Sequence, residues 1–444
     1  MRIERDSLGE MSLPDGALYG IQTARAMENF KLGRPSNLKL IYAVAKVKQA
    51  VSRARVSLKM EDAVLYAAVD EACKEVLAGK ADSMFAVDAL QGGAGTSTHM
   101  NVNEVLANIA LSIMGKKPGD YGSLHPLDVV NRGQSTNDVY PTALRIAAIE
   151  LIRLLSGSCA KLQEAFQMKE NEFASVSKLG RTELMDALPI TLGEEFGAFA
   201  QAIARDRWRL YKVEERLRQV NLGGAAVGAA RGEDAKFRAM ALEELRRITG
   251  IGLAAAEYPM DLTQNNDVFV EVSGLLKAHA VNILKISGDL RLMASGPKGG
   301  FAEISLAPLQ AGSTAMPGKV NPVIPEMAMQ AAMKVIAGDC AITYAASRGE
   351  FELNAFLPLI ADTLLENLQL LERADDALRV KCIELLTANP ERCKGLLNAS
   401  FAFAAAYAPI IGYDICAEII GACNGDPEAA RYRMEKEASR RRGD

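Results

Sequence analysis

The feature that most constrains this chain is a run of apolar residues at helical spacing between residues 190 and 220. Steps of 4, 3, 4, 7, 3, 4 and 3 separate Leu192, Phe196, Phe199, Ile203, Leu210, Val213, Leu217 and Val220. Asp206 lies within the seven-residue step. This stripe predicts a helix of roughly 45 Å at 1.5 Å per residue, with Pro189 in its first turn.

Similar long helical patterns cover about residues 141–178, 267–294, 322–346 and 354–387, while strand signals are sparse. Helices of this length predict a mainly α protein built around a bundle. Each pattern carries more apolar surface than one small bundle hides, so a homo-oligomer is expected. The chain divides into three expected parts: a mixed N-terminal domain (1–138), a central helical bundle (139–388) and a small, shortened C-terminal helical domain (389–444).

Composition excludes several classes of function. The net charge of 51 − 55 = −4 gives no footprint for nucleic acid. The sequence has no uninterrupted apolar stretch of about 18 residues, so no membrane span is predicted. Seven dispersed cysteines and an N-terminus without an apolar signal core favour the cytoplasm. The three histidines show no metal-ligand spacing, so no metal is expected.

Polar, glycine-rich segments interrupt the helical patterns, and the segment 312–322 carries the clearest chemistry. It combines backbone breakers with functional side chains: Gly312, Pro317, Gly318, Ser313, Lys319 and Asn321. Lysine and asparagine donate to carboxylates, and a positive field lowers the pKa of a serine hydroxyl enough for it to act as a base. The alternative is a solvated Gly/Pro connector.

Three further segments, 91–104, 131–143 and 180–189, place small hydrogen-bonding side chains at turns, the first two just before helical patterns. For the segment 91–104 the alternative is a helix N-cap, because Ser and Thr favour that position, and each segment alone is weak evidence for a site. The segment 131–143 is too irregular for a phosphate-binding loop.

In order and separation, these segments resemble the signature regions of the aspartase/fumarase superfamily. The loop 312–322 is similar to its motif G-S-S-x-M-P-x-K-x-N-P, with Thr314 at the second serine. The other segments, together with Leu18-Tyr-Gly-Ile-Gln-Thr-Ala-Arg25 near the N-terminus, most resemble the aspartate ammonia-lyase branch. The resemblance spans about residues 1–415.

The resemblance implies a three-domain, homotetrameric lyase whose long-helix bundle forms a multi-subunit core and whose active sites are shared between subunits. It implies reversible anti elimination of ammonia from L-aspartate, or a related amino or N-substituted succinate, to give fumarate. No metal or organic cofactor is implied. The alternative activity is that of a fumarate hydratase or another fumarate-releasing lyase.

The resemblance also implies site roles. Ser313 is the expected general base, and the resulting aci-carboxylate needs preorganised donors. The expected donors are Thr96, Ser135, Thr136, Thr182, Lys319 and Asn321. Asn137 is expected to lie near the leaving group. Glu326 is expected to lie behind the residue at position 183 and to support it.

Two departures from the superfamily pattern leave the substrate open. Position 183 holds glutamate in place of histidine or glutamine, which argues against a hydratase. Glu183 and Glu326 are expected either to share a proton or to leave Glu183 ionised for a substrate ammonium; the alternative is a solvated or arginine-paired Glu183. His99 replaces an asparagine and is a further candidate for shaping the pocket.

A third departure lies in the loop 221–232. Alanines replace two threonines, at Ala225 or Ala226 and at Ala229, and Arg231 is new. These changes admit a substrate other than aspartate. They also leave open a scaffold without catalytic activity, which the intact Ser313 opposes.

Overall fold

The structure is a computed structural model that describes residues 1–60, 62–229 and 234–442. Its strands are short and pair two by two: β1 (Arg2–Asp6) with β2 (Gly9–Leu13), β3 (Ser177–Thr182) with β4 (Met185–Thr191), β5 (Gln219–Val220) with β6 (Ala254–Ala255), and β7 (Ile304–Ser305) with β8 (Thr387–Ala388). The β5–β6 pair is parallel and the others are antiparallel. The sparse strand signals of the sequence agree with this minor role.

Helices make up most of the described chain. They are α1 (Ile21–Asn29), α2 (Leu38–Ser57), α3 (Ala63–Leu77), α4 (Thr96–Ile113), α5 (Thr136–Glu172), α6 (Leu192–Leu217), α7 (Ala235–Thr249), α8 (Pro259–Gln264), α9 (Asp267–Met293), α10 (Val323–Ala346), α11 (Leu357–Leu378), α12 (Pro390–Asn398), α13 (Ala404–Ile411), α14 (Tyr413–Ala422) and α15 (Pro427–Arg442). The mainly α prediction and the five long helices, α5, α6, α9, α10 and α11, are confirmed.

The start of α6 differs from the prediction. All eight apolar residues of the stripe are buried, and so is Asp206. Pro189, however, lies in β4 opposite Leu179 and not in the helix. A reciprocal capping box starts the helix later: the Thr191 amide donates to the Glu194 carboxylate at 2.7 Å, and the Glu194 amide donates to Thr191 Oγ1 at 3.0 Å.

The described chain divides into two compact units. The first comprises residues 1–156, 208–278 and 334–371. In it, α2 packs against α3 and α7, and its core includes Val51, Ala54, Phe237 and Ala241. The Arg55 guanidinium lies 4.6 Å from the centre of the Phe237 ring, which covers buried charge with an aromatic face.

The second unit comprises residues 157–207, 279–333 and 372–444, of which 443 and 444 are not described. Its β3–β4 hairpin packs against α12. An aromatic cluster of Phe166, Phe173, Phe196 and Phe199 has ring centres 5.4–6.2 Å apart. The predicted three-domain division at residues 138 and 388 stays a prediction. Within the described residues, no helix is both long and apolar enough to cross a membrane.

Candidate active site

The loop 312–321 of the second unit is closed at its base by two hydrogen bonds. The Gly312 amide donates to the Lys319 carbonyl at 2.9 Å, and Asn321 Nδ2 donates to the Gly312 carbonyl at 2.5 Å. A Cβ at Gly312 would lie 2.5 Å from the Lys319 carbonyl oxygen, so only glycine allows this closure. Part of Asn321's expected donor capacity is therefore used to hold the loop.

Inside the loop, backbone amides surround the Ser313 hydroxyl oxygen. The amides of Ala315 and Met316 donate to Ser313 Oγ at 3.2 Å and 2.9 Å. Hydrogen bonds to an oxygen stabilise its anionic form and lower the free energy of deprotonation. The two amides would thus stabilise a negative charge on Ser313 Oγ, the form that a serine base needs. The side chain of Ser313 is partly exposed.

An open cavity of about 750 Å³ adjoins this loop. Its lining includes the cations Arg291 and Lys319 and the amides of Asn321 and Asn389. Glu326 also lines it and pairs with Arg291, with Oε1 and Nη2 3.4 Å apart. The Asn321 and Asn389 side-chain amides already donate within the chain, to the Gly312 carbonyl and to the Ala302 carbonyl and Ser305 Oγ. The features of this cavity that suit a carboxylate ligand are therefore the cations Arg291 and Lys319.

The hairpin β3–β4 carries Thr182 and Glu183 at its tip. Glu183 and Leu184 have φ of 53° and 64°, the left-handed pair of a tight two-residue turn. Below the tip, Arg181 Nη1 lies 2.9 Å from Glu303 Oε1. Thr182 and Glu183 are exposed in the single chain. Glu326 pairs with Arg291, so the expected sharing of a proton between Glu183 and Glu326 stays a prediction.

In the first unit, Thr96 begins α4 and is exposed. Its hydroxyl donates to the Gly93 carbonyl at 2.7 Å. Gly95, with φ of 96°, precedes it, and a Cβ there would lie 2.5 Å from the Tyr140 ring. The glycines of this segment therefore set the turn that presents Thr96 at the start of the helix.

One helical turn after Thr96, the side chain of His99 is buried against Thr136. Its Nδ1 lies 2.8 Å from Thr136 Oγ1. Burial, together with the charge of Lys48, lowers the pKa of His99 well below its ordinary value. His99 is therefore shielded from solvent and contacts the hydroxyl of the candidate donor Thr136.

Asp138 is a buried residue of the candidate site that the sequence interpretation did not single out. Its Oδ1 accepts from the Ser135 amide at 3.1 Å, and its Oδ2 accepts from the amides of Gly223 and Ala225 at 3.1 Å each. Burial raises the pKa of Asp138 to about 6, opposed by these hydrogen bonds and by Lys48. Its position three residues after Ser135, at a helix start, was the available signal.

Asn137 reinforces the same connection. Its Nδ2 donates to the Ala226 carbonyl at 2.7 Å, and its own carbonyl accepts from Asn221 Nδ2 at 3.0 Å. The altered loop therefore lies directly against the turn that holds Ser135, Thr136 and Asn137. Residues 230–233 lie outside the described part of the chain. They include Arg231, the arginine that departs from the superfamily pattern.

The candidate residues thus fall into two groups. The first unit brings together Ser135, Thr136, Asn137 and His99, and places Thr96 one helical turn before His99. The second places Ser313 in the loop with Lys319 and Asn321, places Glu326 at the cavity, and holds Thr182 and Glu183 on the hairpin. Their predicted roles in catalysis and substrate binding stay predictions.

Sequence comparison gives a consistent class. A family model described as "Lyase" matches residues 9–337. The chain is 47% identical over 417 residues to an aspartate ammonia-lyase of Pseudomonas aeruginosa, which covers 93% of this chain and 88% of that protein. It is 42% identical over 419 residues to an aspartate ammonia-lyase of Bacillus subtilis, covering 94% of this chain and 88% of the relative.

Solved structures share the fold. A fumarate lyase:delta crystallin from Brucella melitensis, bound to cobalt, superposes with a TM-score of 0.94 at 42% identity, covering 99% of both chains. A class II fumarase from Schistosoma mansoni superposes with a TM-score of 0.93 at 28% identity, covering 98% of this chain and 95% of that one. Fold and sequence define a mainly helical lyase, and the chain belongs to the aspartase/fumarase superfamily.

Proposed function

We propose that this protein removes ammonia from L-aspartate, reversibly, to give fumarate. The similarity to aspartate ammonia-lyases from several bacteria supports this activity. The observation that carries it is the pair of backbone amides aimed at Ser313 Oγ. A serine that already receives two hydrogen bonds is prepared to exist as an alkoxide, the form that can take a proton from carbon.

In the proposed reaction, Ser313 takes a proton from the carbon next to one carboxylate. The electron pair of the broken C–H bond enters that carboxylate, which becomes an aci-carboxylate. The electron pair then leaves the aci-carboxylate and forms the carbon–carbon double bond. The C–N bond breaks at the same time, and ammonia leaves with the electrons of that bond. Lys319 and Asn321, with Thr96, Ser135, Thr136 and Thr182, would stabilise the dianion.

Glu183 and Glu326 would act at the amino group of the substrate. An exposed, ionised Glu183 would pair with the substrate ammonium, and Asn137 would lie near the same group. Glu326 would support the residue that binds the leaving group, as a carboxylate held by its ion pair with Arg291 at 3.4 Å. A carboxylate at position 183 favours an amine over water as the leaving group.

We further propose that the active sites are shared between subunits of a homotetramer. Around Glu183, the large apolar side chains Leu184, Met185 and Leu188 are 67%, 70% and 54% exposed in the single chain. Apolar side chains clustered at a hairpin tip mark an interaction surface. A hairpin buried by a second copy would carry Thr182 and Glu183 into that copy's site.

The cytoplasmic location also remains a proposal. All seven cysteines are free thiols, and six of them are buried. Such a set fits a reducing compartment.

A fumarate-release assay tests the activity. L-aspartate should produce the ultraviolet absorbance of fumarate, and Ser313→Ala should lower turnover by about 10²–10⁴-fold, the usual contribution of a general base. Ser57→Ala, at an exposed serine ending α2, is the matched control and should retain full turnover. Turnover of L-malate or of an N-substituted aspartate, but not of L-aspartate, would overturn the proposed substrate.

Subunit complementation tests the shared sites. Ser313→Ala and Thr136→Val subunits, each inactive alone, should regain part of the turnover when they are refolded as a mixture, because some sites would receive both intact residues. Each variant refolded with itself is the control. A mixture as inactive as its components would place both residues in one subunit's site and contradict the proposal.

A further inference from the structure

His99 occupies an unusual position for a residue at a candidate active site. It is 1% exposed, and its Nδ1 lies 2.8 Å from Thr136 Oγ1. Its Nε2 is buried and has no hydrogen-bond partner among the described residues. The aspartase motif that the sequence resembles has asparagine at this position, so the imidazole is a property of this chain.

We propose that His99 is a positioning residue, fixed as the neutral tautomer protonated at Nδ1, which donates to Thr136 Oγ1 and leaves the Thr136 hydroxyl hydrogen free for a substrate carboxylate. This inference rests on the proposed function, because that function gives Thr136 a carboxylate to bind. It assigns no contact between His99 and the substrate.

The neutral state follows from the surroundings. His99 is buried, and the neighbouring basic group is the Lys48 amine, whose Nζ donates to Asn131 Oδ1 at 2.8 Å and whose own pKa burial lowers to about 7. The bonded neighbour of the ring is a hydroxyl, not a carboxylate. A positive charge on the imidazole would therefore lack both water and a compensating anion.

The tautomer follows from counting donors and acceptors. A neutral imidazole has one N–H and one bare nitrogen. Protonation at Nε2 would bury an N–H without a partner and would also consume the Thr136 hydrogen in a bond to Nδ1. Protonation at Nδ1 leaves only an acceptor lone pair unpartnered at Nε2, and buried orphan N–H groups are the rarer case.

The chemical consequence is selectivity at Thr136. Its oxygen already accepts from His99, and the described residues record no other hydrogen bond of its side chain. The Thr136 hydrogen therefore stays free to donate to an acceptor such as a carboxylate oxygen, while His99 occupies one of the two lone pairs of Oγ1. An asparagine at position 99 could turn either its oxygen or its nitrogen toward Thr136, whereas the buried imidazole settles the direction.

Two substitutions separate this role from simple filling of space. His99→Asn keeps a donor near the position of Nδ1, and His99→Leu keeps the bulk but has no donor. We expect His99→Leu to lower kcat/KM for L-aspartate and to weaken inhibition by succinate by about 10–150-fold, the value of one hydrogen bond to a charged group. His99→Asn should stay within about threefold of the wild type. His125→Asn, at the partly exposed third histidine, is the control.

A double-mutant cycle provides the readout that a packing role would not move. If His99 acts through Thr136, His99→Leu should have little further effect on succinate binding in a Thr136→Val background. Equal effects of His99→Leu in both backgrounds would overturn the proposal. So would a His99→Asn variant as impaired as His99→Leu.

The tautomer can be read directly on the wild-type protein by ¹⁵N NMR of labelled histidine, because the chain has three histidines. The His99→Asn spectrum assigns the signals. A proton on Nε2, or on both nitrogens, overturns the inference even if His99→Leu fails to fold. Failure of the wild type to release fumarate from any succinate would instead overturn the proposed function and leave the tautomer result standing.

Discussion

Two histidines of this protein are equally buried but differ in charge, since one imidazole is neutral and the other is protonated. His99 in the first unit and His279 in the second are each 1% exposed. Burial alone lowers the pKa of both. The difference between them lies in what each imidazole touches.

His279, in α9, lies between two carboxylates. Its Nδ1 is 3.0 Å from Asp206 Oδ2, and its Nε2 is 3.0 Å and 3.1 Å from the oxygens of Asp375. Burial would lower its pKa, but Asp375 and Asp206 raise it to about 10. Burial also raises the pKa of Asp375, with His279 opposing, and the proton stays on the imidazole because two anions face it.

His99 has a hydroxyl and the Lys48 amine as neighbours in place of those carboxylates. It remains neutral and directs a hydrogen bond, whereas His279 holds charge and joins helices. Similar burial therefore supports an ion pair in one region and a neutral positioning residue in the other. The comparison teaches that the partners, and not the depth, set the state of a buried histidine.

The largest expected effect comes from removing the charge of His279. His279→Gln leaves Asp206 and Asp375 buried without their cation, so we expect the free energy of unfolding to fall by about 3–5 kcal/mol. Urea unfolding at fixed protein concentration measures it. Lys394→Gln, which removes a cation from an exposed side chain of α12, should change stability by less than about 0.5 kcal/mol. A loss below about 1 kcal/mol at His279 would contradict the charged state.

Asp138 provides the next test, within the region of His99. Asn at this position has one carbonyl oxygen and cannot accept on both sides, so Asp138→Asn should separate the turn at Ser135 from the loop at Gly223 and Ala225. We expect a loss of about 1–3 kcal/mol in stability and a lower kcat for fumarate release. Asp128→Asn, at a side chain 83% exposed, is the matched control. Unchanged kcat would show that the turn keeps its geometry without the carboxylate.

The pH dependence should differ in sign between the two histidines. The folded-state pKa of His279 is raised, so its stabilisation is full below about pH 6.5 and is lost as pH rises toward 10, by up to about 1.4 kcal/mol per pH unit. The folded-state pKa of His99 is lowered, so its burial costs stability as pH falls below about 6.5. Histidine ¹⁵N titration measures both. A neutral His279 at pH 8, or a charged His99 at pH 6, would erase the contrast.

A small effect is expected at Ala225, whose amide donates to Asp138 from a backbone with φ of 58°. Ala225→Gly removes the Cβ from a left-handed conformation and should raise stability by about 0.5 kcal/mol, after the entropy cost of glycine. Ala226→Gly, next to it, should instead lower stability by a similar amount. Thermal unfolding compares the two, and equal losses would show that the left-handed backbone at Ala225 carries no strain.

Local patterns predicted the helices, because each long helix repeats its apolar period within its own segment. They did not predict where α6 begins, since the capping box of Thr191 and Glu194 competed with Pro189 and prevailed. The loop 312–321 was also predictable as a chemical segment, because its functional residues are neighbours in sequence.

The contacts of His99 and Asp138 were not predictable in the same way. His99 and Thr136 are 37 positions apart, and Asp138 and Ala225 are 87 positions apart. The sequence identified His99 as unusual but could not show that it is buried behind Thr136. Similarly, the sequence showed that Asp206 interrupts the apolar stripe of α6. It could not show that His279 is its partner, because the two residues meet only when their helices pack together.

The turn at Glu183 and Leu184 bears on how this enzyme responds to directed evolution. A left-handed residue with a side chain costs about 1–2 kcal/mol, which glycine would avoid. A library screened for heat resistance should therefore enrich glycine at positions 183 and 184. A library screened for release of fumarate should retain the carboxylate at 183. The hairpin tip is thus a place where selection for durability and selection for turnover favour different residues.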